Sequence, residues 1–236
     1  MRQLLACRDA GHSDRCRQSF ALFSAEARTS MHSMIAYLSD RANSVTALGI
    51  LCSGAGVGLA VRGNYEAGIA LGLWAIIVDD VDGAIARRAM NRTTATKAIG
   101  KSLDGFSDLI FGSVIPAIVI ASVINSAASG MFAAYLLLIG ALRLAYFGYF
   151  GLSDQGYSTG LPLSYDLPVL AVTFLIHRIV APLELSVVLP AIFVPLSLLH
   201  IAPFKIKASG TLVHVLTIAI AIIGSAGLLM TSGIRA

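Results

Sequence analysis

Seven apolar runs, each about as long as a membrane-spanning helix, constrain this chain more than any other feature. They lie at residues 44–62, 66–86, 104–125, 129–150, 162–180, 183–201 and 211–231. A helix needs about 20 mostly apolar residues to cross the hydrocarbon core of a bilayer. Only 13% of the residues are charged, whereas a soluble domain typically has about 25%. The sequence therefore predicts an all-α, polytopic membrane helix bundle with six or seven transmembrane helices.

The two ends of the chain flank one predicted membrane domain. Residues 1–42 form an amino-terminal segment on the cytoplasmic side in which we expect no cleavable signal sequence. Within it, residues 17–42 have the pattern of an amphipathic helix lying on the membrane surface, although a poorly ordered tail is the alternative. We expect residues 43–207 to form the membrane domain and residues 208–236 to add a carboxyl-terminal transmembrane helix.

Basic residues are concentrated between the second and third apolar runs. This segment contains Arg87, Arg88, Arg92, Lys97 and Lys101. The positive-inside rule places such a segment, together with the amino terminus, in the cytoplasm. The formal net charge of +4 is typical of anchoring beside anionic lipid, and we expect no nucleic-acid partner. The sequence thus predicts an integral membrane protein whose 87–101 segment faces the cytoplasm.

Acidic residues are concentrated at the same place, since five of the thirteen fall between Asp79 and Asp108. Asp79 and Asp82 are three residues apart and Asp104 and Asp108 are four apart, so that each pair shares one helix face. Ionisable groups at membrane depth are costly and normally face a partner or a water-filled cavity. Neighbouring carboxylates need positive compensation, which divalent cations with oxygen ligands supply. The spacing predicts a metal site, with Asp80 outside it because it lies about 100° around the helix from Asp79.

Small and basic residues accompany the aspartates. Gly83 and Ala86 leave space on the first helix, and the Arg87 guanidinium has the shape that binds phosphate oxygens. Gly100 clears the same face of the second helix four residues before Asp104. Together with the aspartates, these residues predict a site for a phosphorylated ligand. A cation-coupled membrane transporter is the alternative, but it explains only the buried carboxylates.

These eight positions together resemble the signature of the CDP-alcohol phosphotransferase family. The resemblance implies that the four aspartates bind two magnesium or manganese ions and that Asp108 is also the general base. The residues implied to contact the cytidine nucleotide are Gly83, Ala86, Arg87 and Gly100. Twelve residues separate Arg87 from Gly100. This spacing is longer than is common in the family, and a similar gap is a feature of bacterial phosphatidylcholine synthases.

Other positions are similar to bacterial and archaeal phosphatidylserine synthases. Asn43 and Thr46 match the Asn-x-x-Thr pattern at the start of the first span and are implied to contact the nucleotide. An arginine inside an apolar run is costly, so we expect Arg143 to bind an anion or to reach the membrane interface. The candidate contacts to the acceptor or the lipid phosphate are Arg143, Tyr146, Ser158 and Thr159. The isolated histidines His177, His200 and His214 are not predicted to be ligands.

The resemblance implies an enzyme of phospholipid biosynthesis in the cytoplasmic membrane of a prokaryote, with its active site facing the cytoplasm. It would transfer the phosphatidyl group of CDP-diacylglycerol to a small alcohol, L-serine first, and release CMP. Choline, glycerol phosphate and inositol phosphate are the alternative acceptors. Tyr146 stands where the serine synthases often have a second arginine. By analogy with related enzymes, we expect a homodimer.

Overall fold

The computed structural model describes residues 34–124, 126–153, 156–179, 184–207 and 211–232, and within them the chain forms eight α-helices. These are α1 (Arg41–Val61), α2 (Tyr65–Arg88), α3 (Thr94–Leu109), α4 (Ile115–Ile124), α5 (Ser129–Phe150), α6 (Asp166–Ile179), α7 (Leu185–Ile201) and α8 (Thr211–Ser232). Two short strands, β1 (Tyr157–Thr159) and β2 (Lys205–Lys207), pair antiparallel. Short 3-10 helices cover Met34–Ser39 and Leu163–Tyr165, and the first of these belongs to a separate unit that ends at Ser39.

Among the described residues, four helical segments are long and apolar enough to cross a membrane, namely Arg41–Val61, Thr94–Ile124, Ser129–Phe150 and His214–Thr231. Helix α2 has 24 residues, roughly 36 Å of helix, but it carries several acidic side chains. The prediction of an all-α polytopic membrane bundle is confirmed. Most of the predicted surface helix at 17–42 lies outside the described residues, and so does the predicted tight turn at 181 and 182.

The helix that carries Asp104 and Asp108 begins earlier than the apolar run that predicted it. That run starts near residue 104, whereas α3 starts at Thr94. The Thr93 side chain caps this start by accepting a hydrogen bond of 3.1 Å from the backbone N–H of Thr96. The first turns of α3 are polar, so hydropathy alone does not report them.

A π-helical segment, Ile110–Val114, joins α3 to α4 without a break. The backbone N–H of Ile115 bonds to the carbonyl of Ile110, one residue further back than in an α-helix. Pro116 follows at once, and it has no N–H with which to continue the α-helical ladder. The irregular turn therefore has a local cause, and it lies directly after Asp108.

Helix α1 packs along α2 through one stripe of small and polar side chains. Its buried residues recur every three or four positions, at Ala42, Asn43, Thr46, Gly49, Ser53, Gly56 and Ala60. Small residues on such a stripe allow helix backbones to approach closely where no water drives association. The stripe places Asn43 and Thr46 on the buried face of α1 rather than towards lipid.

Polar pairs tie α2 to distant helices. Arg178 on α6 forms a salt bridge with Glu66 in the first turn of α2. The Asp80 carboxylate lies 2.9 Å from Nδ1 of His214 on α8. Asp80 thus faces α8, while the aspartates on either side of it take part in a separate group.

Candidate active site

Asp79, Asp82 and Asp104 form a compact acidic group where α2 meets α3. One carboxylate oxygen from each lies within 4.8 Å of the other two. Oδ1 of Asp79 and Oδ2 of Asp82 are buried and have no hydrogen-bond partner among the described residues. Buried carboxylate oxygens without partners are costly, and a divalent cation with oxygen ligands removes that cost. These three residues fit a metal ion and could hold one.

Asp108 lies one turn after Asp104 on α3. Its charge interacts with those of Asp79, Asp82 and Asp104, so it belongs to the same electrostatic centre. The charge of Asp108 also interacts with that of Arg143 on α5. Asp108 therefore links the acidic group to the part of the protein around Arg143.

The structure brings Asn43, Thr46 and Gly100 together beside Asp82. Thr46 lies next to the Asp82 carboxylate. The fully buried Asn43 donates from Nδ2 to the carbonyl of Thr96 at 3.4 Å. A Cβ atom on Gly100 would overlap Oδ1 of Asn43 and crowd Nη2 of Arg92, so a larger residue would require both side chains to shift. Residues separated by more than 50 positions thus form one wall beside the acidic group.

Gly83, Ala86 and Arg87 lie on the last turns of α2, after the acidic residues. Gly83 and Ala86 are half-buried, and Arg87 is exposed. A Cβ atom built on Gly83 would be 3.2 Å from Nη1 of Arg87. The Arg87 guanidinium therefore lies against the side of the helix that Gly83 leaves open.

Arg143 is buried within the protein, with 6% of its surface exposed. Its Nε donates to the carbonyl of Leu161 at 3.1 Å, and its Nη2 donates to Oγ of Ser158 at 2.7 Å. The guanidinium carbon lies 5.3 Å from the centre of the Phe147 ring. These contacts leave Nη1 without an acceptor in the described part of the chain.

Arg143 lines a cavity of about 240 Å³. The lining residues are Leu142, Arg143, Tyr146, Thr159, His200, Ile201 and Pro203. Of the four predicted acceptor residues, three line this cavity. The fourth, Ser158, is buried and holds the Arg143 guanidinium instead. The charge of Arg143, which lines the cavity, interacts with that of Asp108 beside the acidic group.

The sequence matches the CDP-alcohol phosphatidyltransferase family over residues 40–231. The chain belongs to this family. The matched region contains the acidic group, the wall around Asn43 and the Arg143 cavity, and it extends through nearly all of α8. A search against curated proteins gave no match. Family membership makes the protein a membrane transferase of phospholipid biosynthesis that acts on a CDP-alcohol, and it favours this class over a cation-coupled transporter.

Arg92 is a residue of this candidate site that the sequence did not single out. It lies in the long segment between Arg87 and Gly100, and its Nη2 bonds to Oδ1 of Asn43 at 2.6 Å and to Oδ1 of Asp40 at 2.9 Å. Its charge also interacts with that of Asp82. The additional length of the segment was the available signal, because it allows a basic side chain to fold back over the wall.

His200 is a second such residue. Its Nδ1 lies 2.9 Å from the carbonyl of Leu161, and its Nε2 lies 2.9 Å from Oδ1 of Asp166. Both ring nitrogens of this histidine have partners, so it is not isolated in the structure as it is in the sequence. No local pattern could have paired it with Asp166, which lies 34 residues away.

Replacing Gly100 with alanine is expected to weaken binding of the CDP-linked donor by about 1.4 kcal/mol, which corresponds to a tenfold rise in its KM. The new Cβ would displace Asn43 and Arg92 from the wall beside Asp82. Gly105→Ala on the same helix is the matched control, since its Cβ would meet nothing within 4 Å. We expect the control to keep the donor KM and to stabilise α3 by roughly 0.5–1 kcal/mol. Equal donor KM values for both variants would contradict this account of the wall.

Proposed function

We propose that this protein transfers the phosphatidyl group of CDP-diacylglycerol to the hydroxyl group of L-serine and releases CMP. The observation that supports this most strongly is the link from the acidic group through Asp108 to the buried Arg143 cavity. On one side of that link lies the acidic group, which would bind metal and the pyrophosphate. On the other side lies the buried guanidinium of Arg143, which would bind a carboxylate.

The acidic group would bind the pyrophosphate through two divalent ions. The proposed ligands are Asp79, Asp82, Asp104 and Asp108, and the proposed ions are magnesium or manganese. When bound, such ions neutralise the pyrophosphate and the negative charge that develops during phosphoryl transfer. The proposed nucleotide contacts are Asn43, Thr46, Gly83, Ala86, Arg87 and Gly100.

Asp108 would serve as the general base. The serine hydroxyl oxygen attacks the phosphorus atom that carries the diacylglycerol, while its proton passes to the Asp108 carboxylate. The bond from that phosphorus to the bridging oxygen breaks, and CMP leaves with the electron pair. A general base must lie within hydrogen-bond reach of the hydroxyl group. The interaction of the Asp108 charge with that of Arg143, which lines the cavity, supports this role.

The charge of the cavity favours an acceptor with one carboxylate. Arg143 is the one arginine or lysine among the residues that line it, and its Nη1 is available to an anion. A carboxylate would gain a charge-assisted hydrogen bond there. The quaternary ammonium of choline would instead meet like charge, and a phosphate dianion would find a single cation.

We further propose that the protein lies in the cytoplasmic membrane of a prokaryote as a homodimer, with the acidic group facing the cytoplasm. The basic residues of segment 87–101 support this orientation. In this proposal residues 1–42 form a cytoplasmic segment with an amphipathic helix, residues 43–207 carry the reaction and residues 208–236 add a membrane helix.

A comparison of acceptors tests the proposal. Purified protein in lipid vesicles receives CDP-diacylglycerol, Mn²⁺ and one alcohol, and CMP release is measured. Ethanolamine is the matched control for L-serine, because the two differ only in the carboxylate. We expect kcat/KM for L-serine to exceed that for ethanolamine by about 10- to 100-fold, the value of a charged hydrogen bond.

Each other outcome of this comparison has a definite meaning. A higher kcat/KM with choline would contradict the serine assignment and would fit the long Arg87–Gly100 segment. A higher value with glycerol phosphate or inositol phosphate would contradict the single-cation account of the cavity. No CMP release with any alcohol would contradict the transferase proposal itself.

A further inference from the structure

The carbonyl of Leu161 accepts two side-chain hydrogen bonds from different helices. One comes from Nε of Arg143 on α5 at 3.1 Å, and the other involves Nδ1 of His200 on α7 at 2.9 Å. A carbonyl oxygen has two lone pairs and can only accept, so Nδ1 of His200 must carry a proton. Both lone pairs of this carbonyl are therefore used, and they connect His200 to the guanidinium of Arg143.

Asp166 fixes the other side of the His200 ring. Nε2 of His200 lies 2.9 Å from Oδ1 of Asp166, and both residues are buried. Because Nδ1 is protonated, one further proton must lie between Nε2 and the carboxylate. Whichever of the two groups holds that proton, the pair has no net charge. Both nitrogens of the ring therefore have partners. Because the pair is neutral, it does not offset the positive charge of Arg143 beside the cavity.

The backbone of the same loop is held independently of these side chains. The N–H of Leu161 donates to the carbonyl of Leu199 at 3.0 Å, and the N–H of Gly160 donates to the carbonyl of Phe204 at 2.9 Å. Gly160 has a φ of +72°, and a Cβ atom there would overlap the His200 carbonyl. These contacts position the loop on the end of α7. The His200 side chain is therefore not needed to hold the loop backbone. Its Nδ1 instead bonds to the Leu161 carbonyl, which also accepts a hydrogen bond from Arg143.

We infer that His200, braced by Asp166, is a positioning residue that orients the Arg143 guanidinium for the anionic group of the acceptor. The inference rests on the proposed function of the cavity as the acceptor site. His200 lines that cavity, whereas Asp166 is not among the lining residues and contacts Nε2 of the His200 ring. Its effect is therefore expected mainly on the acceptor, because among the described residues no hydrogen bond joins this network to the acidic group or to the wall around Asn43, and the charge of Arg143, which reaches Asp108, is kept.

Two amide side chains, glutamine and asparagine, each replace one ring nitrogen of His200, so that the two contacts of the ring can be tested separately. In His200→Gln, the longer amide reaches Asp166 but cannot donate to Leu161. In His200→Asn, the amide nitrogen takes the place of Nδ1 and can donate to Leu161, and Asp166→Asn is added to avoid a buried unpaired carboxylate. His177→Gln, on α6 outside the cavity, is the control for replacing a histidine.

We expect His200→Gln to raise the acceptor KM about tenfold, the value of one buried hydrogen bond, with the donor KM within about twofold. The double variant His200→Asn with Asp166→Asn is expected to rescue the acceptor KM to within about threefold of wild type. KM values are measured from CMP release with L-serine, or with the alcohol that supports wild-type turnover. Thermal unfolding of each purified variant in one detergent reports whether the variant is folded.

Several outcomes would overturn the inference. An unchanged acceptor KM in His200→Gln would do so, and so would a parallel rise in the donor KM. If His200→Gln does not fold, a tenfold rise of the acceptor KM in the double variant would contradict the inference. Wild-type protein that uses no alcohol would remove the proposed function together with this inference. A working wild type with an unaffected His200→Gln would remove the inference alone.

Discussion

Asp82→Asn is expected to lower the rate of CMP release at least about a thousandfold, since a bound metal contributes several kcal/mol to such reactions. Asp82 is 4% exposed, and one of its oxygens lacks a partner within the described chain. The amide removes a negative charge that would hold the proposed ion in place. It also relieves the repulsion between neighbouring carboxylates, so the metal-free variant should unfold at no lower temperature than wild type.

A thermal titration separates lost metal binding from lost folding. Wild-type protein should unfold at rising temperature as Mn²⁺ is added, because a ligand that binds only the folded state stabilises it. Asp82→Asn should not respond over the same range. Asp80→Asn is the matched control, since Asp80 pairs with His214 outside the acidic group. We expect it to keep both the response and CMP release, and a full Mn²⁺ response in Asp82→Asn would contradict the metal site.

Asp108→Asn is expected to lower kcat by about 10²- to 10⁴-fold, the usual contribution of a general base. Asparagine keeps one oxygen that can face an ion but cannot accept the hydroxyl proton. Because Asp108 is also a proposed ligand, the variant should bind Mn²⁺ more weakly, but its kcat should stay low at saturating Mn²⁺ while the donor KM is kept. Recovery of kcat at saturating Mn²⁺ would make Asp108 a ligand only. Full turnover would remove it from the base role.

The helices that lie within the bilayer were predictable because their length and hydropathy report directly on the membrane. The apolar run at 129–150 corresponds to Ser129–Phe150, and the run at 66–86 corresponds to Tyr65–Arg88. The polar start of α3 was missed, because hydropathy measures contact with lipid rather than helix formation. The Thr93 cap is the local signal that could have located it.

The acidic group was predictable because each pair of aspartates is set by helical periodicity. The network around Arg92 was not, since its bond to Asn43 joins residues 49 positions apart. The same holds for His200 and Asp166, which meet only once α6 and α7 pack. Such contacts depend on how helices are arranged, and no local spacing in the chain records that arrangement.

The most direct test of the central claim is CMP release from CDP-diacylglycerol by wild-type protein supplied with isotopically labelled L-serine. The account predicts equal amounts of CMP and labelled phosphatidylserine in the presence of Mn²⁺. Chelation should stop both products, and added Mn²⁺ should restore them. CMP release that persists after chelation, or CMP without the labelled lipid, would contradict metal-dependent phosphatidyl transfer to serine.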